Sequence, residues 1–133
     1  MPVHLDHTIV PAHDKEASAR WFAEIMGLEY QGPWGHFAPV KIDEHLSLDF
    51  DDAEDFQPVH FAFIVSDPEF DEILERVQDK KLVYGSGPFK SEDMEINHHH
   101  QGRGFYFKDP NGHLLEVITR PYSAEALTAA NGA

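Results

Sequence analysis

The chain has 133 residues, of which 41% are hydrophobic and 12% aromatic, enough to pack one domain, or two small modules around one core, and too apolar for a disordered chain. Ten Lys and Arg stand against 24 Asp and Glu, a net charge of −14; such a surface repels phosphate backbones and anionic lipid and argues against nucleic-acid and membrane partners. There is no cysteine, which excludes disulfides, thiolate nucleophiles and Cys-ligated zinc or iron–sulfur centres.

The start, Met1 to Asp6, lacks the basic and apolar regions of a signal peptide, so a cytoplasmic protein is expected. The first apolar run, His7-Thr8-Ile9-Val10-Pro11-Ala12-His13-Asp14, has a counterpart 53 residues on, His60-Phe61-Ala62-Phe63-Ile64-Val65-Ser66-Asp67. Each begins near a histidine and ends at an Asp. After Asp14, Ala17, Trp21 and Ile25 recur at helical spacing with Phe22 beside them, and Gly27 is a natural stop. Phe37 to Ile42 and Leu46 to Phe50 read as strands. The acidic, Pro-terminated stretch 51–58 reads as a linker between a module at 4–50 and a second at 59–120. Phe61 to Val65, the longest apolar run, is too short to span a bilayer. In the second module Asp67 is the expected N-cap, with Pro68 at the first helical position and Phe70, Ile73, Leu74 and Val77 on one stripe. Leu28-Glu29-Tyr30 and Leu82-Val83-Tyr84 are similar pieces after the two helices. Gly104 to Lys108 and Leu114 to Thr119 read as a hairpin joined by Asp109-Pro110-Asn111-Gly112. The tail, 121–133, is Ala-rich and is expected to fray.

The expected fold is α+β: two paired βαβββ modules, helices behind and a concave groove in front. Alternation along a strand puts His60 with Ala62 and Ile64, and His7 with Leu5 and Ile9, on the groove face. Glu116, in the middle of an apolar strand, is costly to bury unpaired; a cation or groove solvent would resolve that. The two histidines hold the same position in two repeats, which favours a shared task over two unrelated surface residues.

These features resemble the vicinal oxygen chelate superfamily: glyoxalase I, extradiol dioxygenases, and fosfomycin- and bleomycin-resistance proteins. The resemblance spans residues 4 to 120 and rests on the paired modules, on His7 and His60, and on Phe105-Tyr106-Phe107-Lys108-Asp109-Pro110-Asn111-Gly112-His113-Leu114-Leu115-Glu116. It implies that His7, His60 and Glu116 bind one divalent metal. Two His and one carboxylate with open positions favour Fe(II) or Mn(II), while Zn(II) or Ni(II) also fits such a set. Asp49 is the nearest match to a fourth ligand; its alternative reading is a surface Asp opening the acidic linker. Tyr106, ten residues before Glu116, and His45, fifteen before His60, match the catalytic tyrosine and acid/base histidine of extradiol dioxygenases.

The implied protein is a homodimeric metal-dependent enzyme with a dioxygenase-like site for a small, oxygen-chelating molecule. An anionic substrate would need positive charge, and Arg103 at the groove mouth is the candidate for that contact. The alternatives are a glyoxalase-like isomerase or thiol transferase, and a bleomycin-resistance-type binder without catalysis. His98, His99 and His100 diverge too much to share one ion and read as a solvated loop at the groove mouth.

Overall fold

The computed structural model describes residues 2–121; the C-terminal tail expected to fray lies, beyond Pro121, outside the described residues. The chain divides into two compact units. One is the chain up to Pro58 with Asp109–Gly112; the other is Val59–Lys108 with His113 onward. Among the described residues no helix is long and apolar enough to cross a membrane.

In the first unit, strand β1 (His7–Ala12) leads into helix α1 (Lys15–Met26). Asp14 caps the helix by accepting from the Ala17 N–H at 3.1 Å, and Gly27 ends it in the left-handed conformation, φ 73°. The buried stripe is Ser18, Ala19, Phe22, Ala23 and Ile25, not the expected Ala17–Trp21–Ile25 line. The reason is Ser18, whose hydroxyl is drawn inward by Asn111. Strands β2 (Ala38–Lys41) and β3 (Ser47–Asp52) complete a sheet of order β1-β3-β2, with β1 and β3 parallel. β3 runs two residues into the supposed linker, because Asp51 and Asp52 pair with Pro11 and Ala12. Leu28 to Tyr30 forms no strand, so this unit has three strands. Val10, Ala38, Val40, Leu48 and Phe50 are buried on the face toward α1.

In the second unit β4 (His60–Ile64) leads into α2 (Asp67–Asp79). The N-cap is Ser66, one residue earlier than expected. Its side chain and that of Glu69 satisfy each other's backbone N–H in a capping box, which leaves Asp67 inside the first turn. Strands β5 (Tyr84–Gly85), β6 (Gly104–Lys108) and β7 (Leu114–Ile118) build a sheet of order β4-β7-β6-β5. Phe105, Phe107, Leu115 and Val117 are buried with Phe70, Ile73 and Val77 of α2, and Phe105 meets Phe70 edge-on at 5.3 Å.

The turn after β6 does more than reverse the chain. Asn111 donates to the Ser18 hydroxyl and to Asp109, each at 3.0 Å, and accepts the His13 N–H at 2.9 Å. Asn111→Ala would leave buried donors and acceptors unsatisfied and should cost about 2–3 kcal/mol of stability. A urea midpoint unchanged from wild type would contradict this assignment.

Candidate metal and catalytic site

Strand register builds the site in the second unit. Ala62, Glu116 and Tyr106 are successive cross-strand partners on β4, β7 and β6, so their side chains share one face. His60 lies two residues before Ala62, on that same face. Its Nδ1 donates to the Leu114 carbonyl at 2.9 Å. A carbonyl can only accept, so Nδ1 carries a proton and Nε2 is the nitrogen turned toward chemistry. Nε2 lies 3.1 Å from Glu116 Oε1. Glu116 is only 3% exposed, and the half-exposed His60 side chain is its neighbour across the strands. The Tyr106 ring lies 6.0 Å from that of His60, within 18° of parallel. Three of the sequence-derived site residues are thus brought together: His60, Glu116 and Tyr106.

The first unit carries the equivalent strand positions. His7 donates from Nδ1 to Asp6 at 2.8 Å, and that carboxylate raises the His7 pKa above the ordinary histidine value. Asp49 pairs with Ile9 just as Glu116 pairs with Ala62, two residues after the respective histidines. Asp49 is therefore the structural counterpart of Glu116. It is 8% exposed and accepts from the Ser47 hydroxyl at 2.7 Å. The reading of Asp49 as a surface residue opening the linker is thus corrected: it is a mid-strand carboxylate on the His7 face. Among the described residues, no three His, Asp or Glu side chains are already gathered as a metal cage.

His45 is exposed at the entry to β3. Its ring stacks on His4 at 4.2 Å, and its N–H donates to Asp43. It lines a cleft of about 420 Å³ in the first unit with Asp6, Trp34, Lys41 and Ser47.

Arg103, expected to meet an anionic substrate, is engaged elsewhere. Its guanidinium donates to Asp71 at 2.7 Å and to Asp67 at 3.0 Å, and lies 4.3 Å from the Phe70 ring centre. The Asp71 and Asp67 bonds raise its pKa. These contacts give Arg103 the work of fastening β6 to α2. Of the triple histidine, His99 starts a single 3-10 turn and His100 is left-handed, φ 56°, and the His99 and His100 rings meet edge-on at 6.2 Å.

Sequence reading passed over His113, which is 1% exposed and accepts the Val59 N–H on Nδ1 at 3.0 Å. It fixes the entry to β4 just before His60. A histidine directly after a turn gave no signal of this. It also passed over Asp6, the partner of His7; an acid preceding a candidate ligand is a signal that could have been used.

A family model described as Glyoxalase/Bleomycin resistance protein/Dioxygenase superfamily matches residues 4–117. A solved structure titled Oxidase ChaP-H2 is 50% identical, with a TM-score of 0.89, over 92% of this chain and 98% of that one. Oxidase ChaP-H1 is 45% identical, with a TM-score of 0.88, over 92% of this chain and 100% of that one. Glutathione transferase FosA of Serratia marcescens is 28% identical over 120 residues, 85% of this chain and 78% of that protein.

Proposed function

Because the chain belongs to the glyoxalase/bleomycin resistance protein/dioxygenase superfamily, we propose that it is a divalent-metal enzyme that oxidises a small oxygen-chelating substrate with dioxygen. The observation that carries this reading is the pair formed by His60 Nε2 and the buried Glu116 carboxylate, 3.1 Å apart, with the Nδ1 proton pinned on Leu114. One nitrogen and one carboxylate, oriented from behind, are donors that fit Fe(II) or Mn(II). His7 supplies the third ligand in this proposal. The likeness to two oxidases at 45% and 50% identity supports oxygen chemistry.

A divalent ion bound there would lower the pKa of a coordinated substrate hydroxyl. His45 would be the residue to accept that proton, and the Tyr106 hydroxyl would be the donor to the substrate oxygen. Glu116 would serve as a carboxylate ligand, and Arg103 holds the start of β6 against α2.

We also propose that two copies pair. This rests on the superfamily to which the chain belongs. Cytoplasmic residence belongs to the same reading.

Protein purified without oxygen should hold about one iron or manganese per chain and consume oxygen with a panel of catechols and hydroquinones. His45→Ala should keep the metal and lose roughly a hundred- to ten-thousand-fold in turnover. A second reading, glyoxalase-like isomerisation or thiol transfer, is favoured by the position of Asp49 as counterpart of Glu116. Under it Asp49→Ala loses metal affinity and His45→Ala changes little. Metal-free protein with undiminished activity would defeat both.

A further inference from the structure

The segment between β5 and β6 is built with more restraint than a connecting loop requires. The Ser86 N–H and hydroxyl both donate to Asp93, and the Lys90 N–H donates to Gly87 at 3.1 Å. The Met94 N–H donates to Tyr84 at 2.8 Å, and Asn97 Nδ2 to the Ser86 carbonyl at 3.0 Å. Asn97 also pairs with Gly104 through both backbone bonds. Yet this braced segment holds Phe89 99% exposed, at full hydration cost for a large apolar ring.

Two glycines show where the segment lies. Gly85 is the cross-strand partner of Tyr106, so a side chain at Gly85 would stand on the face of Tyr106 and Glu116. A Cβ there would overlap the Lys90 carbonyl oxygen and the Ser91 backbone. Residues 90 and 91 therefore rest on the site face, directly beside Tyr106. Gly104, two residues before Tyr106 and on the same face, leaves room in the same way: a Cβ there would sit 3.0 Å from Asn97 Oδ1. Ser91 also lines a cavity of about 190 Å³ with Leu82, Val83, Glu92 and Lys108. The segment is thus a fixed wall on the β5 side of the site, and Phe89 directly precedes Lys90 in the chain.

We propose that residues 86–97 form the outer wall of the substrate pocket and that Phe89 is a specificity-determining residue packing on an aromatic body that carries the chelating oxygens. This rests on the metal-site reading above. A neutral aromatic also suits a chain of net charge −14 better than a polyanion. The ring's full exposure is then the state before substrate arrives, and the bracing removes the ordering cost of closing a mobile loop.

The test uses two oxygen chelators on full-length protein loaded with Mn(II) under argon. 2,3-Dihydroxynaphthalene has a flat aromatic body, and acetohydroxamic acid has almost none. Phe89→Ala should weaken the naphthalenediol about tenfold while Mn(II) and acetohydroxamic acid bind within twofold of wild type. Phe89→Trp should restore the diol. Equal weakening of both chelators, or of neither, with Mn(II) retained overturns the assignment of Phe89 and leaves the metal reading standing. Wild-type protein that takes up no Mn(II) overturns both.

Discussion

Replacing Glu116 with alanine is expected to abolish stoichiometric binding of a divalent ion. Losing only a hydrogen-bonding partner behind a ligand costs roughly 10–100-fold in metal affinity, so losing the ligand itself should exceed that. Alanine also empties a buried site and strips His60 Nε2 of its partner, so it lowers the stability of the metal-free protein too. Glu116→Gln separates the two effects, because the amide keeps the volume and much of the hydrogen bonding. In wild type, metal that binds only the folded state raises the melting temperature by linkage. For Glu116→Gln the melting temperature should be nearly the same with and without Mn(II). A melting shift as large as wild type's, together with an unchanged Mn(II) titration, would remove Glu116 from the ligand set.

The second large effect is expected at Gly85, which carries no chemistry of its own. Gly85→Ala places a methyl group into backbone atoms of Lys90 and Ser91. Backbone cannot rotate aside as a side chain can, so the whole 86–93 segment has to lift off the sheet. A cost of about 1–3 kcal/mol is expected for such overpacking, with loss of the Met94 to Tyr84 bond. Hydrogen exchange should speed up at Met94 and Asn97 and stay slow at Phe105 and Val117, deeper in the same sheet. Uniform acceleration would mean that the sheet has failed and the wall is not a separable element. Unchanged exchange would mean that the segment tolerates the methyl group.

Much of this architecture was legible because period and turn chemistry speak plainly. The matched runs at His7 and His60, the Pro68 helix start, the Gly27 stop and the Asp109–Gly112 turn each carry their own physical signature. Alternation made legible that His60 shares a face with Ala62 and Ile64, and Glu116 with Leu114 and Ile118, while Tyr106 entered only through the family resemblance. What stayed hidden depends on partners far apart in the chain. Ser18 looks like a poor core residue until Asn111 is placed beside it, 93 positions away. Arg103 looks like a free cation until Asp67 and Asp71 of α2 are brought around it. The capping box moved the start of α2 by one residue, because Ser66 and Asp67 are both good caps and Glu69 decides between them. Tyr84 and Leu28 sit in similar local sequences, yet only the former finds a strand to pair with.

The inclusion of Asp109–Gly112 in the first unit has a consequence for biosynthesis. The N-terminal unit is discontinuous in sequence: its helix hydroxyl at Ser18 and its His13 amide are satisfied by a residue translated almost a hundred codons later. A nascent chain that has emerged only to Pro58 holds every strand and helix of that unit but lacks the side chain that completes its interior. Its maturation must wait for the ribosome to deliver Asn111, and closing so long a loop adds an entropic toll that grows only slowly with length. The first unit can therefore complete these hydrogen bonds only after Asn111 has been made.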